Sequence, residues 1–116
     1  MENPLSTSPF MQSFQRELHR GSSDASFGIP QLSAALNLSR STIHRKIKAE
    51  TGKSTSIYIR EFRLQRAHHL IANSERNIKE VAFNCGFSDV AYFCKCFKEH
   101  FGYSPSEVRK KELPDQ

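Results

Sequence analysis

The stretch that decides the fold runs from Ile78 to Arg109, IKEVAFNCGFSDVAYFCKCFKEHFGYSPSEVR. Just before it, Asn77 with Glu80 three residues on forms a capping box, the signature of a helix start. Val81, Ala82 and Cys85 give that helix an apolar stripe. Cys85-Gly86-Phe87 ends it, because Gly enters the left-handed region at little cost. Ser88 is expected to cap a second helix, Val90 to Phe101. Its apolar side carries Phe93, Phe97 and Phe101, with Tyr92 and Cys96 beside them. Gly102 stops this helix. Ser104-Pro105-Ser106-Glu107 then opens another, with a second capping box and Pro at the first helical position. Two short helices joined by a tight Gly-containing turn make a helix-turn-helix, whose second helix can enter a DNA major groove.

The pattern occurs twice. Ile29-Pro30-Gln31-Leu32 lies over Ile78-Lys79-Glu80-Val81, and Asn37-Leu38-Ser39 over Gly86-Phe87-Ser88. After a one-residue gap, Ile43, Arg45, Ile47, Lys48 and Gly52 lie over Phe93, Lys95, Phe97, Lys98 and Gly102. Asn37 replaces Gly at the turn, and Asn is the usual alternative in a left-handed position. Matches of physical role at so many positions point to an internal repeat.

These residues carry a family resemblance. Arg63-Leu64-Gln65-Arg66-Ala67, Ile78 through Ala82, Gly86-Phe87-Ser88, Tyr92-Phe93, Phe97-Lys98 and Gly102 through Arg109 resemble the AraC/XylS family of bacterial transcription regulators. The likeness covers about residues 9 to 111. Ser39 through Lys48, with Tyr58-Ile59-Arg60, looks most like the C-terminal domains of hybrid two-component sensors and response regulators. Three positions depart from the family pattern: Ser33 for Ala, Thr55 for Pro and Val108 for Tyr. Thr55 and Val108 are expected to loosen two helix starts without threatening the fold.

The resemblance implies an all-α domain of about seven helices, two helix-turn-helix subdomains joined by a long connecting helix. The expected divisions are a disordered tail over 1–8, a first unit over 9–53, a connector over 54–73, a second unit over 74–111 and a tail over 112–116. Pro9 to Arg20 repeats Phe10, Met11, Phe14 and Leu18 at helical spacing, as a helix covering the first unit should. Ser56 to Ala72 carries two apolar stripes on a 100° wheel, Ile57, Leu64, Ala67 and Ile71 against Tyr58, Ile59, Phe62 and Leu70. A helix so patterned must be covered on both sides. At ~1.5 Å per residue it is ~25 Å long, and it sets the separation of the two reading helices. Neighbouring major-groove segments on one DNA face lie ~34 Å apart, so a shorter or skewed setting bends the DNA.

Ser39 caps the first reading helix, with Ile43 and Ile47 inward and Arg40, Ser41, His44, Arg45 and Lys48 outward. Glu50 is the one acid nearby. Arg and Lys reach guanine edges or phosphates, and small hydroxyl residues permit close approach. By the resemblance, Ser41, His44 and Arg45 occupy base-contacting positions. The repeat places Val90, Ala91, Cys94 and Lys95 at the corresponding places of the second helix. Val90 and Ala91 suit thymine methyl groups, or else they mark a helix that mainly grips phosphate through Lys95 and Lys98. Base contacts are therefore assigned to Arg40, Ser41, His44, Arg45, Val90, Ala91, Cys94 and Lys95, with most readout in the first unit. Phosphate contacts are assigned to Lys48, Lys98 and Arg109. Arg63, between the two stripes, reads as half of a structural ion pair, and His68-His69 as surface.

The sequence has 116 residues and a formal net charge of +5. That length makes one domain or two very small ones, and nine Phe suit a small helical core. Basic charge alone suits any soluble protein; with two helix-turn-helix units it favours double-stranded DNA, whose counterions Lys and Arg release. No run approaches ~18 consecutive apolar residues and no secretory pattern opens the chain, so a cytoplasmic protein is expected. A domain of this family usually follows a sensing or receiver domain, which implies an excised domain or a small stand-alone regulator. Dimerisation is left to such a missing domain, and this one is expected to be monomeric. RNA polymerase is a candidate second partner.

The three Cys are odd in number and form no disulfide framework. Cys96 and His100 share a helix face, but a zinc site needs further ligands, so no metal and no cofactor are expected. No nucleophile elbow, phosphate loop or paired carboxylates suggest an enzyme. A helical protein-interaction module with only non-specific DNA affinity is the alternative. It would replace the basic face at Arg40–Lys48 with apolar residues. RNA binding would favour exposed aromatics, which the core stripes are expected to absorb.

Overall fold

The doubly apolar helix is built as its pattern requires, with the first unit covering its N-terminal half and the second unit its C-terminal half. The computed structural model describes residues 8–111, folded into seven α-helices with no strand among the described residues. They are α1 (Pro9–Gly21), α2 (Ile29–Leu36), α3 (Arg40–Thr51), α4 (Thr55–Asn73), α5 (Ile78–Asn84), α6 (Val90–Phe101) and α7 (Pro105–Lys111). With 19 residues, α4 is about 28 Å long. Its N-terminal half gives Ile59 to a buried cluster with Met11, Phe14, Leu18, Leu32, Ile43 and Ile47, against which Tyr58 and Phe62 also pack. Its C-terminal half gives Leu64, Ala67 and Ile71 to a second cluster around Val81, Phe93 and Phe97. The handover falls between Phe62 and Leu64, and Arg63 stands at it.

This division corrects the placement of two stripe residues. Ile57 is 38% exposed, because it lies on the second unit's stripe at the end of α4 that only the first unit covers. Leu70, on the opposite stripe, packs instead against the second cluster, the only one its end of the helix reaches.

The helix boundaries follow local chemistry. Ser39 accepts from the Thr42 amide at the start of α3, and Asn77 and Glu80 complete their reciprocal cap at α5. Ser104 and Glu107 do the same at α7. The two turns match in detail. Asn37 (φ 56°) and Gly86 (φ 91°) are left-handed, and the Leu38 and Phe87 amides reach back to the Ser33 and Ala82 carbonyls in the same six-residue closure. Ser33, a departure from the family pattern, donates its hydroxyl to the Leu38 carbonyl and so braces that turn.

Ser88 is not the cap of α6. Asp89 is, accepting from the Ala91 and Tyr92 amides at 2.9 and 3.3 Å. The extra residue in the second turn moves the helix start one position on. Ser8, expected to end a tail, caps α1 and donates its hydroxyl to the Glu50 carboxylate at 2.8 and 2.9 Å. The rest of both expected tails lies outside the described residues. Val108 is buried in the second cluster rather than loosening α7.

Candidate nucleic-acid interface

Capped by Ser39 and held by Ile43 and Ile47 in the core, α3 has one way to face outward. Arg40, Ser41, His44, Arg45 and Lys48 are all exposed on that side. Among the described residues Arg40 and Arg45 carry no hydrogen bond or ion pair, so both guanidinium groups are free for a ligand. Lys48 donates to the Gly52 carbonyl at 3.2 Å and closes its own helix end.

His44 is set differently from its neighbours. Its Nδ1 shares a 2.8 Å hydrogen bond with the Thr55 hydroxyl, and Thr55 is buried at the first turn of α4. Thr55 therefore ties the middle of α3 to the start of the connector instead of loosening it. The bond occupies one imidazole nitrogen and leaves Nε2 as the outward atom.

The outward side of α6 is less free. Ala91, Lys95 and Lys98 are exposed, but Val90 and Cys94 are half-buried and pack against the second cluster. Burial raises the Cys94 thiol pKa, as it does for Cys85, and both act as apolar fillers. Tyr92, expected beside the apolar side, is 46% exposed, and its hydroxyl lies 3.5 Å from the Arg60 guanidinium. Phe83, 43% exposed on α5, corrects the expectation that the Phe residues fall on core stripes.

Arg109 does not stand free for phosphate. Its guanidinium donates to the Ile71 carbonyl (3.1 and 3.2 Å) and the Ser74 carbonyl (2.9 Å), satisfying the end of α4. Among the described residues Arg63 has no ion-pair partner. It donates to three main-chain carbonyls, of Asp24 (3.3 Å), Phe27 (2.8 Å) and Gly86 (2.9 Å), and burial lowers its pKa. His68 is not surface. It stacks on Phe97 and lies against Phe101, with Nε2 3.0 Å from the Tyr103 hydroxyl, and burial lowers its pKa. His69 is exposed.

A cleft of about 560 Å³ lies between the units, with Ile29 on one wall, Ser88 and Tyr92 on the other, and Ser56, Arg60 and Arg63 at its base. The last three recur at i, i+4 and i+7, a third stripe on α4. The two apolar stripes hid it from the sequence reading. Among the described residues no cluster of three or more His, Cys, Asp or Glu is placed to hold a metal ion, and no helix is long and apolar enough to cross a membrane.

The family model described as "Helix-turn-helix domain" matches residues 32–111, from within α2 through α7. The chain belongs to the AraC-type helix-turn-helix regulators. The HTH-type transcriptional activator RhaS of Klebsiella pneumoniae (strain 342) is 35% identical over 80 residues, 69% of this chain and 29% of that protein. The match thus spans under a third of that protein's length. A DNA-binding transcriptional dual regulator from Escherichia coli K-12 has the same fold, with TM-score 0.83 and 26% identity over 97% of this chain and 99% of that one. So does the C-terminal domain of the two-component response regulator yesN from Fusobacterium nucleatum, with TM-score 0.79 and 27% identity over 88% and 99%. AraC-type domains are DNA-binding parts of transcription regulators, not enzymes.

Proposed function

We propose that this domain binds double-stranded DNA sequence-specifically, placing α3 and α6 in successive major-groove segments on one face of the duplex. The observation that carries this is the outward side of α3, where Arg40 and Arg45 are exposed and without partners among the described residues. An unpaired guanidinium presents the two-pronged donor that guanine O6 and N7 accept. On this reading Arg40, Ser41, His44 and Arg45 read bases. Ala91 and the exposed edges of Val90 and Cys94 offer apolar contact. Lys95 reaches a base beside Ala91, and Lys48 and Lys98 hold phosphate. The regulator that this domain serves acts in the cytoplasm, with the domain itself monomeric on each half-site. RNA polymerase is a second partner for that regulator.

The test is selection of binding sites from a random DNA pool at physiological salt, followed by the salt dependence of binding to the winner. Two short enriched blocks about one helical turn apart support two readers. One block would assign readout to a single unit and leave the other on phosphate. No enrichment, with a steep salt slope, would overturn specificity and favour an interaction module with general DNA affinity. The exposed Phe83 on α5 is the feature that favours this second reading.

A further inference from the structure

The two units meet mainly through α4, and a single helix leaves the rotation of each unit about it to side-chain contacts. Two side chains of α4 reach both units: Glu61 faces Lys53 ahead of α4 and His100 on α6, and Arg63 bonds main chain of each. Arg63 leaves α4 where the first core hands over to the second. It donates to Asp24 and Phe27 in the loop before α2, and to Gly86 in the turn before α6. Its acceptors are thus main chain of both units, immediately ahead of a helix in each.

Three further features shape this joint. The loop holds its acceptors still: the Phe27 amide bonds the Asp24 carbonyl, and the Asp24 carboxylate is held by the Ser26 hydroxyl and amide. The second turn comes unusually close. A Cβ on Gly86 would lie 2.8 Å from both Arg63 Cζ and the Ser22 carbonyl oxygen, so Gly there serves a close approach as well as its left-handed φ of 91°. And the acceptors are fixed backbone oxygens, matched by the planar fork of a guanidinium but not by a lysine ammonium.

We propose that Arg63 is a positioning residue for specificity: it locks the two units at one relative rotation and so dictates the spacer between the two DNA blocks. This rests on the two-reader function proposed above. Changing the spacer by one base pair moves the second block by about 3.4 Å and about 35°. A locked pair of readers cannot follow that displacement without distorting the DNA. A pair without the Arg63 bonds, held by α4 and the Glu61 contacts, can turn toward it.

Two measurements on the wild type, Arg63→Gln and Arg63→Lys decide it. The first uses no DNA. Residual dipolar couplings of the wild-type amides should fit one alignment tensor for both units. In Arg63→Gln, with each unit's own couplings still fitting its fold, the units should need separate tensors. Arg63→Lys keeps the charge and one reachable carbonyl, and should fall between. The second is binding to the selected site with its spacer shortened or lengthened by one base pair. The wild type should lose on the order of ten-fold in affinity, as for a poorly met contact, and Arg63→Gln only about two-fold. A single shared tensor and an unchanged spacer penalty in both folded variants would overturn the proposal. Should Arg63→Gln unfold, the Arg63→Lys data decide alone. Wild type indifferent to spacing would sink the two-reader function, while the dipolar couplings would still report whether Arg63 locks the units.

Discussion

The two reading helices have the same length, equivalent apolar anchors and the same position in the repeat, yet they present different surfaces. On α3 the anchors Ile43 and Ile47 are slim, and all five outward residues are polar and exposed. On α6 the anchors are Phe93 and Phe97, joined by half-buried Val90, Cys94 and Phe101. The aromatic core of the second unit spreads around its helix and takes two of the four positions that correspond to the proposed base readers of the first. Building a larger core from a 12-residue helix narrows the face left for a ligand. The first unit solves its core with help from α1, which supplies Met11, Phe14 and Leu18, and keeps α3 free.

The largest expected effect tests whether these unlike cores are one folding unit. Phe93→Ala should cost about 3–5 kcal/mol and Ile43→Ala about 2–5 kcal/mol, since both side chains are fully buried. Because α4 contributes to both clusters, each substitution should shift one shared calorimetric transition. Two resolved transitions, only one of them moving, would show that the units fold separately.

The next effect concerns readout. Arg45→Ala should weaken specific binding by about 1–3 kcal/mol and relax preference at one base pair. Lys98→Ala should weaken all sequences alike and lower the salt slope by about one unit. Equal, sequence-independent losses in a filter-binding series would erase the contrast between the helices.

A smaller change bears on the tie between α3 and α4. Thr55→Val keeps the shape and removes the hydroxyl that meets His44, which should cost about 0.5–1.5 kcal/mol in denaturant melts. It should also broaden base preference under His44 while leaving the Arg45 position unchanged. Retained preference at both would show that the tie does not orient the imidazole.

The smallest effect is a pH dependence located in the second unit. Burial lowers the His68 pKa from 6.5, so the folded state keeps it neutral where the unfolded chain would bind a proton. Its contribution is complete above pH 6.5 and is lost as pH falls from there through the lower folded value. Melting temperatures followed downward from pH 7 should fall more steeply for wild type than for His68→Gln. Parallel curves would place the pH dependence elsewhere.

Much of this architecture was legible because its signals are local. A cap and its acceptor lie three residues apart, a stripe repeats every three or four, and a left-handed turn needs Asn37 or Gly86 whatever surrounds it. The outward residues of α3 were legible for the same reason, since two buried Ile fix its rotation. The same reasoning failed where one face of a helix changes neighbour along its length, as at Ile57 and Leu70. It failed again where a residue's partner is remote. Thr55 is 11 residues from His44, and His68 is 35 from Tyr103.

The sequence by itself determined about seven helices, their boundaries to within a residue or two, the repeat and the outward basic face of α3. The tertiary structure alone decided which arginines remain free. Arg45 keeps its guanidinium exposed, Arg109 closes the end of α4, and Arg63 joins the two units. The physical reason lies in the acceptors. Those of Arg63 and Arg109 are main-chain carbonyls 23 to 39 residues away, and every residue carries the same carbonyl. No side-chain pattern marks the ones that folding will bring within reach.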